Sequence, residues 1–154
     1  MTIVPLNWYS WNFDLLEGTR RLARLDLSSW RERGVLSVEG INHRVYREGA
    51  ASGDFVVARD GLVLARATKP SAFRAQFVVS WNGREYTLRR ESIWRRTFVL
   101  LDGDTKIGSL VKDSAWKRNA TIELPKTWPL PIRVFVIWLA LIIWKRDANA
   151  AGGG

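Results

Sequence analysis

The stretch "RVFVIWLALIIWKR", Arg133 to Arg146, is an apolar run closed by basic residues in a chain that is otherwise polar and basic. Its unbroken part, Val134 to Trp144, would span about 16 Å as a helix at 1.5 Å per residue, roughly half of a ~30 Å hydrocarbon core. No polar stripe interrupts it, and a helix that is apolar all round needs cover on every side. Pro129 and Pro131 suit a helix entry, while Lys145 and Arg146 suit the negative end of its dipole. Two readings follow: a buried core helix, or a short single-pass membrane anchor over 132–146. The shortness of the run favours the first, provided that the rest of the chain supplies a hollow to fill.

The preceding residues do so. Glu17-Gly18, Glu39-Gly40, Asp60-Gly61, Asn82-Gly83 and Asp102-Gly103 put a turn glycine at every 20 to 22 residues. Asn-Gly and Asp-Gly are strong hairpin signals, because a type I′ turn needs positive φ at both central positions. Softer breakers lie about midway, in "DLSSWRERG", "REGAASG", "TKPSA", "RES" and "KDSA". The chain therefore reads as an antiparallel meander with a turn about every ten residues.

Between turns the period is two. In "FRAQFVVSW", Phe73, Ala75, Phe77, Val79 and Trp81 share a face; in "WKRNATIELP", Trp116, Ala120, Ile122 and Leu124 do, with Arg118 interrupting that inner row. About a dozen antiparallel strands must remove their edges, and closure into a barrel is the common solution. Eight strands suffice to fill a barrel with their own side chains, so about a dozen leave a wider lumen. The expected fold is an all-β, closed, up-and-down antiparallel barrel of about 12 strands enclosing the hydrophobic C-terminal helix. One domain covers 1–147, with a core helix of about 131–146 contributing Val134, Phe135, Ile137, Trp138, Leu141 and Ile142, and 148–154 is a flexible tail.

Composition narrows function. The chain has 154 residues, nine tryptophans, no cysteine and a net charge of +9. Disulfides and thiolate metal sites are thereby excluded. A positive field of this size favours anionic lipid, nucleic acid or an acidic protein surface. The start, "MTIVPLNWYSW", carries neither a basic leader nor a long apolar core, so no secretory signal is expected.

Glycine-turned hairpins followed by "ATIELPKTWPLPIRVFVIWLALIIWKR" resemble the tubby C-terminal-like superfamily, which includes the LURP-one-related proteins and the phospholipid scramblases. The resemblance runs from about Asn7 to Arg146 and is one of layout, with "DGDTKIGSL" at Asp102 to Leu110 and the paired "LP" before the helix its most specific parts. It implies a closed barrel of about a dozen strands around a hydrophobic helix, and binding of phosphoinositide headgroups through surface Lys and Arg. No binding residue aligns one by one, and the cysteines of scramblase-type palmitoylation are absent.

Residues for catalysis are sparse. The single histidine, His43, reads as a surface residue, and without a second His or a Cys it builds no common transition-metal site. "DGDTKIG" lacks the remaining ligands of a calcium loop and reads as a turn. No phosphate loop, dinucleotide fingerprint or nucleophile elbow is present. No catalytic residue, metal or cofactor is assigned, and no enzyme is expected.

Trp81, Trp116, Trp138 and Trp144 fall on apolar faces and read as packing, whereas Trp8, Trp11, Trp30 and Trp94 are candidates for a membrane-interface belt. The basic residues come in pairs, Arg20-Arg21, Arg89-Arg90, Arg95-Arg96, Lys117-Arg118 and Lys145-Arg146. If the strands about "ESI" pair symmetrically around Ser92, Arg89 faces Arg95, and like charges directly opposite cost stability. A single pair reads as guanidinium groups splayed into solvent, a cluster from several adjacent strands as the site of an anionic partner, and a bulge at this turn would undo the register.

The expected function is a non-catalytic, monomeric, cytoplasmic binding module, peripheral at the inner face of the membrane. It docks on anionic lipid or an acidic partner through Arg89, Arg90, Arg95, Arg96, Lys112, Lys117 and Arg118. The alternatives are a single-pass protein anchored by 132–146 and a nucleic-acid-binding barrel.

Overall fold

The computed structural model describes the chain except residues 28–32, 50–52, 70–74, 93, 95, 115–116 and 153–154. Among the described residues twelve strands precede one helix: β1 (Thr2–Pro5), β2 (Asn12–Glu17), β3 (Arg20–Asp26), β4 (Gly34–Val38), β5 (Ile41–Glu48), β6 (Asp54–Arg59), β7 (Leu62–Thr68), β8 (Gln76–Trp81), β9 (Arg84–Ser92), β10 (Thr97–Asp102), β11 (Thr105–Lys112), β12 (Ala120–Glu123) and α1 (Leu130–Gly152). The strands form a closed antiparallel barrel in which chain neighbours are sheet neighbours and β1 pairs with β12. At the seam Thr2 lies opposite Thr121 and Ile3 opposite Ala120, and the Ile122 N–H donates to the Met1 carbonyl at 2.8 Å.

All five expected glycine turns are two-residue hairpins, but in two kinds. Glu39-Gly40, Asp60-Gly61 and Asn82-Gly83 have positive φ at both residues, the pattern of a type I′ turn. At the other two sites the centre moves on by one residue. Glu17 pairs with Arg20 and Asp102 with Thr105, leaving Gly18-Thr19 and Gly103-Asp104 at the tips. There only the glycine has positive φ, as in a type II′ turn. Both hairpins also slip register, at Leu15/Leu16 and at Leu100/Leu101, as does the Asp60-Gly61 hairpin at Val57/Ala58.

These turns gather at one end of the barrel. Its other end carries the longer connections 6–11, 27–33, 49–53, 69–75, 93–96 and 113–119. The last strand is shorter than its sequence pattern suggests, beginning at Ala120, and Phe73 and Trp116 of the expected inner rows lie outside the described residues. Period two holds in several strands, where Phe13 and Leu15, Leu36 and Val38, Phe77 and Val79, Tyr86 and Leu88, and Ala120 and Ile122 are buried, whereas β6 and β10 bury the consecutive residues Phe55 to Ala58 and Thr97 to Leu100.

The helix starts where the prolines allow. The Pro129 carbonyl accepts from the N–H groups of Ile132 (3.1 Å) and Arg133 (3.2 Å). It continues to Gly152 with no basic residue in its last turn. Lys145 and Arg146 therefore do not sit at the dipole's negative end as expected, and residues 148–152 are helical. Every residue from Val134 to Trp144 is buried, including Phe135, Ile137, Leu141 and Ile142, and these join the buried strand residues in one apolar cluster. Trp138, 1% exposed, meets Phe55 of β6 edge-on at 5.6 Å and stacks on Phe135 at 6.2 Å; Phe98 of β10 meets Trp144 at 5.8 Å. Among the described residues no helix is long and apolar enough to cross a membrane.

Candidate anion-binding rim

Cations on the sides of the barrel and cations at its loop end have different surroundings. Along the sides and at the tight turns several of them pair with carboxylates of neighbouring strands and turns. Arg24 makes a two-pronged pair with Asp14 directly opposite (2.8 and 3.1 Å), Arg84 reaches Asp102 at 3.1 Å, Arg66 pairs with Glu48 and Arg20 with Glu39. Such exposed pairs contribute little stability, but they cancel the local field.

At the loop end three inner rows end in a cation instead of an apolar residue. Tyr86 and Leu88 lead to Arg90, Leu110 leads to Lys112, and Ile122 and Ala120 lead back to Arg118. The arginine of β9 turns to the helix: Arg90, its side chain 15% exposed, pairs with Asp147 and lies over the Phe98 ring at 5.7 Å. Arg118 donates to the carbonyls of Asn7 and Ser10 and covers Trp11 at 5.4 Å, tying connection 113–119 to connection 6–11. From the helix, Lys145 donates to the Leu27 carbonyl at 2.6 Å.

Lys112 sits in the middle of this arc. Its pKa is held below the ordinary lysine value, first by burial and then by the neighbouring positive charges of Arg96 and Arg118, with Asp147 acting in the opposite sense. Burial alone lowers Arg118, and burial outweighs Asp26 in lowering Lys145. A partly desolvated cation with two others near enough to disfavour its charge is an arrangement that an anion relieves.

The seven expected anion-binding residues thus divide. Arg96, Lys112 and Arg118 come together at the rim, and Lys117, exposed, follows on the same connection. Arg89 stands exposed on β9, and Arg90 is drawn inward. Arg95 lies outside the described residues. The expected symmetric register about Ser92 does not form: Thr97 pairs with Ser92 but Phe98 with Arg90 and Val99 with Arg89, a slip at Thr97/Phe98. Arg89 therefore opposes Val99, and the like-charge confrontation read from the sequence is absent there.

His43 corrects a second expectation. It is 1% exposed rather than at the surface, on the same face of β5 as Val45. Its Nδ1 lies 3.1 Å from the Ile41 carbonyl, and its Nε2 has no protein partner. Sequence parity held the signal, because Val45 is two residues on. The rim's aromatic side chains had no such signal: Trp8 and Trp94 sit in connections without periodicity, and both stand in solvent, 88% and 93% exposed.

Among the described residues no group of three or more His, Cys, Asp or Glu side chains could hold a metal. A cleft of about 390 Å³ lies near the tight turns, lined by Val63, Leu64, Arg66, Trp81 and Arg84. Comparison of the chain with protein-family models, with curated proteins and with solved structures finds no match.

Proposed function

We propose that this protein is a non-catalytic docking module whose loop rim takes up anionic headgroups, phosphoinositide-like in chemistry, at a membrane surface. One observation carries the reading: three inner rows end at the rim in Arg90, Lys112 and Arg118, and Arg96 and Arg118 lie near enough to the half-buried Lys112 to disfavour its charge. The module acts as a monomer at the inner, cytoplasmic face of the membrane. Twelve strands with an apolar C-terminal helix agree with the layout of the tubby C-terminal-like proteins, and membership of that superfamily is part of this reading.

In the same reading the helix threads the barrel and plugs it. Support comes from the burial of Val134 to Trp144 at every angle about the axis and from ring contacts to β6 and β10. Hydrogen exchange in detergent-free buffer tests this: amides of 134–144 should exchange only through global unfolding. Rapid exchange of that segment would remove the plug.

Vesicle co-sedimentation tests the docking. Association should rise with the anionic lipid fraction and fall with salt, and Lys112→Glu with Lys117→Glu should abolish it. Binding indifferent to salt and lipid charge would overturn the reading. Nucleic acid is the second reading, favoured by the exposed Trp8 and Trp94, since bases stack on such rings beside cations. Single-stranded DNA that displaces the chain from anionic vesicles, and binds more tightly, would favour it.

A further inference from the structure

The two most exposed tryptophans flank the cation arc. Trp8 belongs to connection 6–11 and Trp94 to 93–96, and in the closed strand order the connection between β11 and β12, with Lys117 and Arg118, lies between them. Connection 6–11 is held in shape. Leu6 N–H donates to the Asn12 carbonyl at 2.9 Å, Ser10 N–H to Asn7 Oδ1 at 2.7 Å, and the Arg118 guanidinium to two of its carbonyls. The Trp8 ring meets Tyr9 edge-on at 5.6 Å, and Tyr9 is itself exposed. Large amphipathic rings standing in water near cations match the headgroup level of a bilayer, where one part of the ring is wet and the rest apolar.

The opposite end of the barrel lacks this combination. Its exposed apolar tips, Ile41 and Leu62, adjoin turns whose acids Glu39 and Asp60 pair with Arg20 and Arg59. Acids also occur at the rim: Asp147 is engaged by Arg90 and Asp113 accepts from the Thr121 hydroxyl at 3.1 Å, while Glu91 stands exposed on β9 beside Arg90. From this we infer that the barrel stands end-on upon an anionic bilayer, with Trp8 and Trp94 entering the interface on either side of the Arg96–Lys112–Lys117 arc. The inference rests on the anionic-membrane reading above and adds the orientation and the anchors.

The test uses the full chain, vesicles of phosphatidylcholine with and without phosphatidylserine, and brominated phosphatidylcholine as a quencher of tryptophans at membrane depth. The variant Trp8→Ala with Trp94→Ala alters only exposed rings, so its melting curve should match the parent's. Its partitioning onto the anionic vesicles should fall about tenfold or more, since each ring buries on the order of 100 Å² of apolar surface on entry. Brominated lipid should quench the parent and leave the double variant largely unquenched. Salt-sensitive binding of both proteins with equal strength and no quenching would overturn the end-on insertion while leaving headgroup docking in place. A parent that binds neither vesicle would overturn both.

Discussion

The two ends of the barrel are built to different rules. At the tight-turn end, hairpins of two residues leave little chain to vary, and the space above the core is closed by apolar rings: Trp128 lies 5.0 Å from Trp81 and 4.6 Å from Tyr86. At the loop end the connections lengthen, the inner rows finish in Arg90, Lys112 and Arg118, and tryptophans stand in solvent. Both ends cap the same apolar cluster. One does so with hydrophobic burial and strict turn geometry, the other with charge and hydrogen bonds to carbonyls. Buried polar and charged groups cost stability unless satisfied, and the second kind of cap meets that condition through Asp147 and the carbonyls of Asn7, Ser10 and Leu27.

The sharpest way to break this contrast is to remove what the two caps share. Trp138→Ala deletes a fully enclosed ring in contact with Phe55 and Phe135, and should cost about 3–5 kcal/mol through the cavity left behind. That is a large part of the ~5–15 kcal/mol typical of a domain. Thermal melting in detergent-free buffer checks it. An unchanged melt would mean that the helix does not contribute to the barrel's core.

Gly34→Ala comes next. A Cβ at position 34 would lie 2.1 Å from the Asp26 carbonyl oxygen and 3.5 Å from the Trp138 Nε1, so β3 and β4 would have to part. Overpacking of this kind typically costs about 1–3 kcal/mol, and the loss should appear in the denaturant midpoint. The same substitution at Gly40 meets no atom, but its φ of +81° penalises alanine by strain instead.

How far the sequence discloses each end follows from the same contrast. The tight-turn end was legible because positive φ and period two are local rules, and five glycine dipeptides repeat them. The one-residue displacement at Gly18 and Gly103 escaped, since a type II′ turn needs its glycine first and the preceding acid belongs to the strand, and so did the register slips at Leu15/Leu16, Val57/Ala58 and Leu100/Leu101. The loop end was legible in part. Arg118 visibly interrupts an inner row, and the same parity turns Arg90 inward by way of Tyr86 and Leu88 and buries His43 beside Val45. The bulge that sets Arg89 opposite Val99 depends on a non-local register, and the partnership of Arg90 with Asp147 joins residues far apart in the chain. Neither leaves a local trace. The apolar run of the helix showed its need for cover but not its end, because the alanines after Asp147 continue a helix without a stop signal.

Cutting the link between helix and rim sharpens the comparison further. Asp147→Ala removes the carboxylate that draws Arg90 inward and leaves a largely buried guanidinium without it. Asp147 is itself partly exposed, so the cost should be about 1 kcal/mol rather than that of a buried pair. In the reading of the rim as an anion site, the released charge should also strengthen association with anionic vesicles at low salt. Melting and co-sedimentation of one preparation check both signs, and loss of stability together with loss of binding would mean that Asp147 orders the rim.

The smallest effect is the most specific to the loop end. Lys112 has its folded-state pKa below the ordinary lysine value of about 10.4, so in the window between the two the unfolded chain binds more protons than the folded one. Stability rises with pH wherever that holds. The unfavourable contribution of Lys112 is therefore fully present below its folded-state pKa, fades as pH climbs through that value, and is gone above the unfolded one. Lys112→Met should leave the protein as stable at neutral pH or more stable by a few tenths of a kcal/mol. It should also flatten the rise in melting temperature on the alkaline side relative to the parent. Lys145, shifted in the same direction by burial, keeps part of that rise in both proteins, so the difference between the two curves isolates Lys112. A variant that melts well below its parent at neutral pH would mean that the ammonium group is a satisfied structural contact, and that the crowding with Arg96 and Arg118 is not a strain waiting for an anion.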